Sequence, residues 1–218
     1  MPLANTSTST FLALSNGKMR QKVSPGTPNA LPRINKNGVE VFELSFDKLS
    51  DVFITDVKSV TTDFGDMLNI KIMEEDGSAD YVISVALSSG YSKSFLNVLP
   101  NLDLTKPLSL HAYSMDIGND KTRAGLYVIQ EDEKVQGHFW YFDKEAEKSI
   151  YKKGFPVYKP KNGKFTKTSW DVHAATVSEY LIDAMEEAKY VFPSASSIKG
   201  STEQSSVDDN TDNDKLPF

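Results

Sequence analysis

The sequence predicts a mainly β protein with one central core, and three observations carry this prediction. The chain has 218 residues, a length that suits one domain with extensions. Between residues 39 and 128 apolar residues recur at every second position, which is the period of half-buried strands. Clusters of Gly, Asp, Asn and Ser separate these runs, as turns separate strands.

The alternating runs predict five strands, with a short helix between the third and the fourth. Tyr91, Phe95, Val98 and Leu99 fall at helical spacing before Pro100. The turn residues at 75–78 predict a tight hairpin between the second and third strands. This order is that of an OB-fold, a five-stranded Greek-key barrel. The apolar positions of the five strands are Val39, Val41, Phe53, Val57 and Val60; Leu68, Ile70 and Ile72; Tyr81, Ile83, Val85 and Leu87; Leu108, Leu110 and Ala112; Leu126 and Val128.

The remaining segments are predicted to be extensions of this core. Residues 1–38, rich in Ser, Thr, Asn, Pro and Gly, form a flexible and mostly irregular basic arm. The OB-fold core spans 39–143, with an added hairpin at 135–142, and a basic aromatic extension follows at 144–167. Residues 194–218 form a disordered acidic tail, because they offer too little apolar surface to offset the cost of ordering.

A helix is predicted at 168–193, with Thr168 or Ser169 as its cap. It packs on the barrel or on a partner chain, so the sequence leaves a homo-oligomer open. Its apolar stripe consists of Trp170, Val177, Leu181, Ala184, Met185 and Ala188.

Composition and motifs exclude several classes of protein. The chain has no cysteine and only three histidines, far apart in sequence, so we expect no metal site. It lacks a phosphate loop, a His-Glu-x-x-His motif and a Gly-x-Ser-x-Gly motif, so we expect neither an enzyme nor a cofactor. No apolar stretch approaches the ~18 residues of a membrane span and no basic leader opens the chain, so we expect a soluble, cytoplasmic protein.

Charge is segregated along the chain in a way that the net value of −6 hides. Residues 1–39 carry five basic and no acidic side chains, and Lys148 to Lys167 carry seven lysines and no acid. Eight of the 23 aromatic residues lie between 139 and 165. Lysines neutralise phosphates and aromatic rings stack on unpaired bases, so this combination is typical of single-strand binding. On the predicted hairpin we expect Phe139 and Tyr141 to be buried, with Trp140 and Phe142 on the opposite face.

The candidate nucleic-acid contacts come from this stretch, from the loops of the barrel and from the faces of its strands. OB-folds bind oligonucleotides across their second and third strands and through the loops that join strands one to two and four to five. His111 is interpreted as an ordinary strand histidine. The candidates are Phe64, Lys71, Tyr113, Lys121, Arg123, Tyr127, Trp140, Tyr151, Lys152, Lys153, Tyr158, Lys159, Lys161 and Lys164.

The last eleven residues form an acidic run that ends in Leu-Pro-Phe. This run resembles the C-terminal tip of bacterial and phage single-stranded-DNA-binding proteins. The resemblance implies a flexible hook for replication or repair proteins, in which the terminal aromatic ring fills an apolar pocket and the acids steer the encounter. Lys215 departs from the usual all-acidic run. The partner-binding candidates are Asp208, Asp209, Asp212, Asp214, Leu216, Pro217 and Phe218.

These features together predict a phage-type protein that coats unwound DNA in the cytoplasm of a bacterial host and recruits replication proteins. One alternative is a virion or assembly component whose β-barrel makes protein contacts. Another is a carbohydrate- or peptide-binding barrel that uses the same aromatic residues. Salt dependence separates these classes, because only phosphate binding weakens steeply as salt rises.

Overall fold

The computed structural model describes residues 9–35, 37–63, 65–118, 121–158 and 166–198. This part of the chain is mainly β, as the sequence predicts, with two main helices, α1 (Gly90–Val98) and α2 (Lys167–Ala188). A turn of 3-10 helix follows α1 at Leu99–Asn101. The strands are β1 (Thr10–Ser15), β2 (Lys18–Val23), β3 (Leu31–Ile34), β4 (Glu40–Phe46), β5 (Lys48–Thr62), β6 (Gly65–Glu74), β7 (Asp80–Ala86), β8 (Leu108–Asp116), β9 (Thr122–Gln130), β10 (Glu133–Lys134), β11 (Trp140–Asp143) and β12 (Lys148–Tyr151).

Ten strands form one sheet in the order β10-β9-β8-β5-β6-β7-β1-β2-β4-β3. Neighbours are antiparallel except β1 and β7, which run parallel. The five strands expected in the barrel correspond to β5–β9 and lie side by side, with α1 between β7 and β8 in sequence. Within the described ranges no ladder joins β7 to β9, so the sheet is not closed. Val41, expected in the first barrel strand, belongs to the separate strand β4.

The expectation of an irregular arm at 1–38 is wrong for the described residues of that segment. They form β1, β2 and β3 because β1 pairs with the distant β7 and β2 pairs with β4. Asn16 and Gly17, at φ values of 51° and 73°, form the turn between β1 and β2. Leu12 and Met19, on these two strands, are almost fully buried.

The main core cluster combines side chains of the sheet with side chains of the two helices. Leu68, Ile70 and Ile83 contribute side chains with no exposed surface, and Phe95 of α1 packs against them. The predicted hairpin turn between β6 and β7 is confirmed, since the Gly77 N–H donates to the Glu74 carbonyl. None of the described helices is long and apolar enough to span a bilayer.

The C-terminal half departs from the expected boundaries. The added hairpin pairs Trp140–Asp143 with Lys148–Tyr151, rather than lying within 135–142. The C-terminal helix is confirmed, but its cap is Thr166 rather than Thr168 or Ser169, because the Thr166 side chain accepts a hydrogen bond from the Ser169 N–H.

Of the predicted apolar stripe of α2, Val177, Leu181 and Met185 are buried in the core. Trp170 is 49% exposed and does not belong to the core. The expected disorder of 194–218 is wrong for its first residues, because 195–198 form one helical turn. Ile198 is buried there against Phe53 and Met73. Residues 199–218 lie outside the described ranges.

Candidate nucleic-acid interface

A cleft of about 860 Å³ opens between α1, the start of β9, the β11–β12 hairpin and the first half of α2. None of its sixteen lining residues is acidic. Three of them, Lys93, Arg123 and His173, carry or can gain a positive charge. The five aromatic lining residues are Tyr91, Trp140, Tyr151, Phe155 and Trp170. Rings and cations without carboxylates suit a ligand that has flat groups and negative charge.

The β11–β12 hairpin supplies one aromatic wall of the cleft. Trp140 and Tyr151 stand directly opposite each other in the strand register, and their ring centroids lie 5.0 and 5.9 Å from that of Phe155. Phe142, two residues beyond Trp140, shares the same face and is 61% exposed. Tyr141 belongs to the opposite face. We call Trp140, Phe142 and Tyr151 the hairpin platform.

Asn97 of α1 fixes the position of this platform. Its Oδ1 accepts hydrogen bonds from the Phe139 and Trp140 N–H groups at 2.8 and 3.1 Å, and its Nδ2 donates to the Trp140 carbonyl at 2.8 Å. A methyl group at Gly137 would lie 2.1 Å from the Asn97 Nδ2, so only glycine permits this approach. The hairpin is therefore tied to α1 through backbone atoms, which leaves the Trp140 ring to face the cleft.

The amino-terminal end of α1 forms the base of the cleft. The Ser89 side chain caps the helix by accepting from the Ser92 N–H. A methyl group at Gly90 would lie 2.2 Å from the Ala124 carbonyl oxygen of β9, so glycine allows the helix to touch that strand. This contact places α1 beside Arg123, at the beginning of β9.

Lys93 and His173, the two basic helix residues of the cleft, both have a lowered pKa. Burial lowers the pKa of Lys93 on α1. Burial, followed by the charge of Lys93, lowers the pKa of His173 on α2. Both shifts disfavour positive charge in the free cleft, and an anion placed between these groups would oppose them.

The first turns of α2 supply the wall opposite the hairpin platform. Thr166 and Ser169 form a capping box that starts the helix. Tyr158 stacks on Trp170 with ring centroids 5.2 Å apart and lies at the same distance from His173. None of the residues of α2 before Val177 is buried. This part of the helix therefore packs through the aromatic contacts of Trp170 and His173 with Tyr158 rather than through buried core residues.

The cleft brings together three of the predicted site residues, Arg123, Trp140 and Tyr151, with Tyr158 against its wall. Five other lining residues are not among the candidates predicted from the sequence. Tyr91 and Trp170 have the spacing of helical core residues, which assigns them to the core rather than to a site. Lys93 and His173 are single charged residues on two different helices, and no local pattern marks them. Phe155 belongs to the basic aromatic stretch but is not among its candidates. The residues not predicted are Tyr91, Lys93, Phe155, Trp170 and His173.

Tyr113 and Tyr127 form a second aromatic surface on β8 and β9. His111 stacks on Tyr127 at 4.7 Å, Tyr113 lies 6.2 Å from the same ring, and the Lys134 Nζ lies 4.9 Å above it. Alternation places Arg123 on the same face of β9 as Tyr127, which connects this surface with the cleft. His111 is therefore part of an aromatic row, and burial lowers its pKa.

Lys71 lies apart from the cleft. Its Nζ is 3.6 Å from an Asp56 carboxylate oxygen, and the concavity beside it is lined by Pro193, Ser194 and Ala195. Lys71 shares this carboxylate with Lys58, which lies 2.9 Å from it, and the C-terminal segment approaches this face of the sheet. Lys71 is therefore a weaker candidate than Arg123.

Three other predicted lysines are exposed around the cleft without lining it. Lys121 follows the β8–β9 turn, and its carbonyl accepts from the Ile117 N–H. The Lys152 Nζ contacts the His138 ring and lies 5.5 Å from the Phe139 centroid. Lys153 lies in the turn after β12. The other predicted contacts lie outside the described residues, namely Phe64, Lys159, Lys161, Lys164, Asp208, Asp209, Asp212, Asp214, Leu216, Pro217 and Phe218.

The described residues contain no cluster of three or more histidine, aspartate or glutamate side chains that could hold a metal ion. Comparison of the chain with protein-family models, with curated proteins and with solved structures finds no match.

Proposed function

We propose that the chain binds single-stranded DNA without sequence preference and protects unwound DNA during replication. The observation that carries this proposal is the acid-free cleft, where five aromatic side chains stand beside Lys93, Arg123 and His173. Aromatic rings stack on unpaired bases at roughly 1–3 kcal/mol per base. Cations supply affinity for phosphates that does not depend on sequence.

The shape of the cleft supports a preference for single strands over duplex. Trp140, Tyr151 and Trp170 line a concave space between two walls, rather than a convex surface that could enter a groove of duplex DNA. Bases in a duplex are already stacked and paired, so their faces cannot reach these rings. Single strands present free base faces and flexible phosphates to the same residues.

The order of the core strands supports an OB-fold as the scaffold. In the sheet these strands lie in the order β9-β8-β5-β6-β7. A five-stranded Greek-key barrel has the same order, with its fifth, fourth, first, second and third strands as successive neighbours. In this interpretation the third barrel strand, β7, pairs with β1. This pairing takes the place of the one between β7 and β9 that would close the barrel. Gly17, in the β1–β2 turn, then meets β8, since a methyl group there would lie 2.6 Å from the Ser114 nitrogen.

The acidic tip gives the proposal its second part, recruitment of replication or repair proteins. Asp208, Asp209, Asp212 and Asp214 steer a basic partner, and the ring of Phe218 docks on it. A flexible connection raises the effective concentration of the partner near the bound DNA. If the chain comes from a phage, this activity belongs in the cytoplasm of the bacterial host.

Carbohydrate binding is the second candidate function, because aromatic platforms also stack on sugar rings. Lys93 and Arg123 favour DNA, since a neutral sugar gains nothing from their charges. Affinity for a sugar would also change little with salt.

Tryptophan fluorescence tests the proposal directly, because the only two tryptophans of the chain, Trp140 and Trp170, both line the cleft. We expect an oligothymidylate to quench this emission at concentrations where a duplex of equal length does not. Arg123→Gln should flatten the slope of log affinity against log salt by about 0.7. Lys71→Gln is the matched control, because Lys71 does not line the cleft. Equal affinity for duplex, or a salt-independent affinity, would contradict the proposal.

A further inference from the structure

A second polar pocket, of about 500 Å³, lies on the amino-terminal part of the sheet. All six of its lining residues are polar and none is acidic. They are Ser15, Asn16, Arg20, Arg33, Asn35 and Asn37. Arginines beside side-chain amides form a set of hydrogen-bond donors, which is the chemistry that recognises a phosphate group.

Glu43 holds both guanidinium groups of this pocket in place. The Arg33 Nε and Nη2 donate to its two carboxylate oxygens at 2.9 and 2.6 Å, and the Arg20 Nη1 donates at 3.3 Å. Glu43 is 8% exposed. The Arg33 hydrogen bond is the main cause that lowers the pKa of Glu43, so the carboxylate stays ionised at neutral pH. Because the arginines are already ordered, binding an anion costs them little conformational entropy.

The carboxylate does not neutralise this face of the sheet. Arg20, Lys22 and Arg33 all lie on the face of Glu43 in the strand register, so three cations accompany one acid. The Arg20 Nε is buried and has no hydrogen-bond partner among the described residues. Asn35 accepts the Asn37 and Val39 N–H groups with its Oδ1, which leaves its Nδ2 as a donor.

The pocket adjoins the cleft through the turn between β1 and β2. Asn16 lines the pocket, and the next residue, Gly17, donates its N–H to the Tyr91 hydroxyl at 2.8 Å. Tyr91 in turn lines the cleft. On the other side of the turn Gly17 touches β8 at Ser114, next to Met115, which pairs with Arg123 of the cleft. One turn of the chain therefore separates the two sites.

We propose that this pocket is a second phosphate site, which binds a backbone phosphate of the DNA strand that occupies the cleft. The inference rests on the proposed function, and it extends the path of the strand from the cleft onto β2, β3 and β4. A short oligonucleotide fills the cleft alone. A longer one reaches Arg20 and Arg33 and gains their charge-assisted hydrogen bonds.

The test measures oligothymidylates of about 4 to 16 nucleotides, the range of site sizes for such folds, against the full chain and two variants. The first is Arg20→Gln with Arg33→Gln and Glu43→Gln, which removes the cations without leaving a buried unpaired carboxylate. The second is Asn37→Asp, which adds an acid to the pocket and leaves the Glu43 ion pairs intact. Asn29→Asp is its control, because Asn29 is exposed and does not line the pocket.

We expect both variants to bind the shortest oligonucleotide like the unmodified chain and the longer ones about tenfold more weakly. For the triple variant the salt slope on the long strand should fall by about 0.7 for each phosphate that the pocket no longer binds. Unchanged affinity of Asn37→Asp and of the triple variant at every length would overturn the second site while the cleft still binds DNA. Failure of the unmodified chain to bind any single strand would overturn the proposed function itself. The outcome for Asn37→Asp decides the question if the triple variant does not fold.

Discussion

Lys93 of α1 and His173 of α2 line the same cleft, and after burial the charge of Lys93 is the cause that lowers the pKa of His173. Arg123 lines the cleft as well, and no carboxylate among the lining residues offsets these charges. Tyr158 covers the imidazole ring from the side. Burial and the charge of Lys93 thus disfavour the protonated form of His173 in the free protein, and a bound phosphate would favour that form.

The affinity for single-stranded DNA should rise as pH falls from about 7.5 towards about 5.5, around the ordinary histidine pKa of about 6.5. The sign follows from linkage: DNA raises the lowered pKa of His173, so binding takes up a proton and is favoured by acid. One proton limits the gain to about tenfold per pH unit. His173→Gln should remove most of this dependence in a fluorescence anisotropy titration.

His138→Gln is the control for the pH experiment. The pKa of His138 is also lowered, by burial and then by Lys152, but His138 does not line the cleft. If this control loses the pH dependence and His173→Gln keeps it, the phosphate lies near Lys152 instead.

Asn97→Ala should destabilise the protein by about 3 kcal/mol and should also weaken DNA binding. The substitution leaves the Phe139 and Trp140 backbone groups without their partner in a buried setting, and such groups cost roughly 1–3 kcal/mol each. Urea unfolding measures the first effect. Asn101→Ala is the control, since it removes only exposed hydrogen bonds to Gln136 and His138 and should cost less than about 1 kcal/mol.

The core strands could be predicted from sequence, whereas the amino-terminal strands could not be predicted by periodicity. Each core strand carries its own alternation, as in Leu68 and Ile70. In β1 and β2 only Leu12 and Met19 are buried, and the ladder partner of β1 lies far away in sequence, on β7. The sequence does carry one signal there, the Asn-Gly pair at 16 and 17, which is typical of a two-residue hairpin turn.

The site could be predicted only where its residues are neighbours in sequence. Trp140 and Tyr151 belong to one aromatic and basic stretch, so composition alone indicates them. Lys93 and His173 line the same cleft only because α2 packs on α1. The sequence pattern of α2 identifies its buried residues, but it does not indicate which helix they pack against. Trp170 has the spacing of that pattern, but the buried part of α2 begins only at Val177. Trp170 therefore lies outside the core and is exposed to the cleft.

Replacing Trp140 by Ala should weaken binding of oligothymidylate by about 1–3 kcal/mol, the contribution of one stacked base. Tyr151→Ala should have an effect of the same order, because both rings belong to the hairpin platform. Tyr141→Ala is the control, since its ring lies on the opposite face of the same hairpin. Isothermal titration measures all three, and an equal loss for Tyr141→Ala would show that the hairpin face is misassigned.

The stability of the fold should depend on Ile198. It is 2% exposed and packs on Phe53 and Met73, so Ile198→Ala removes a buried side chain and should cost about 2–4 kcal/mol in urea unfolding. Removing 208–218, by contrast, should leave the free energy of unfolding unchanged. It should also strengthen single-strand binding modestly at low salt, because the acids of the tip compete with DNA for basic surface.

Removing only Leu216, Pro217 and Phe218 separates the two roles of the tail. This shorter truncation takes away no acidic side chain, so DNA affinity should stay unchanged. Pull-down of a replication protein should disappear, because the truncation removes the apolar side chains that dock on that protein. The control is Phe218→Leu, which keeps an apolar end and should retain part of the pull-down. If either truncation destabilises the protein or abolishes DNA binding, the tail belongs to the folded structure beyond Ile198 and does not act as a hook.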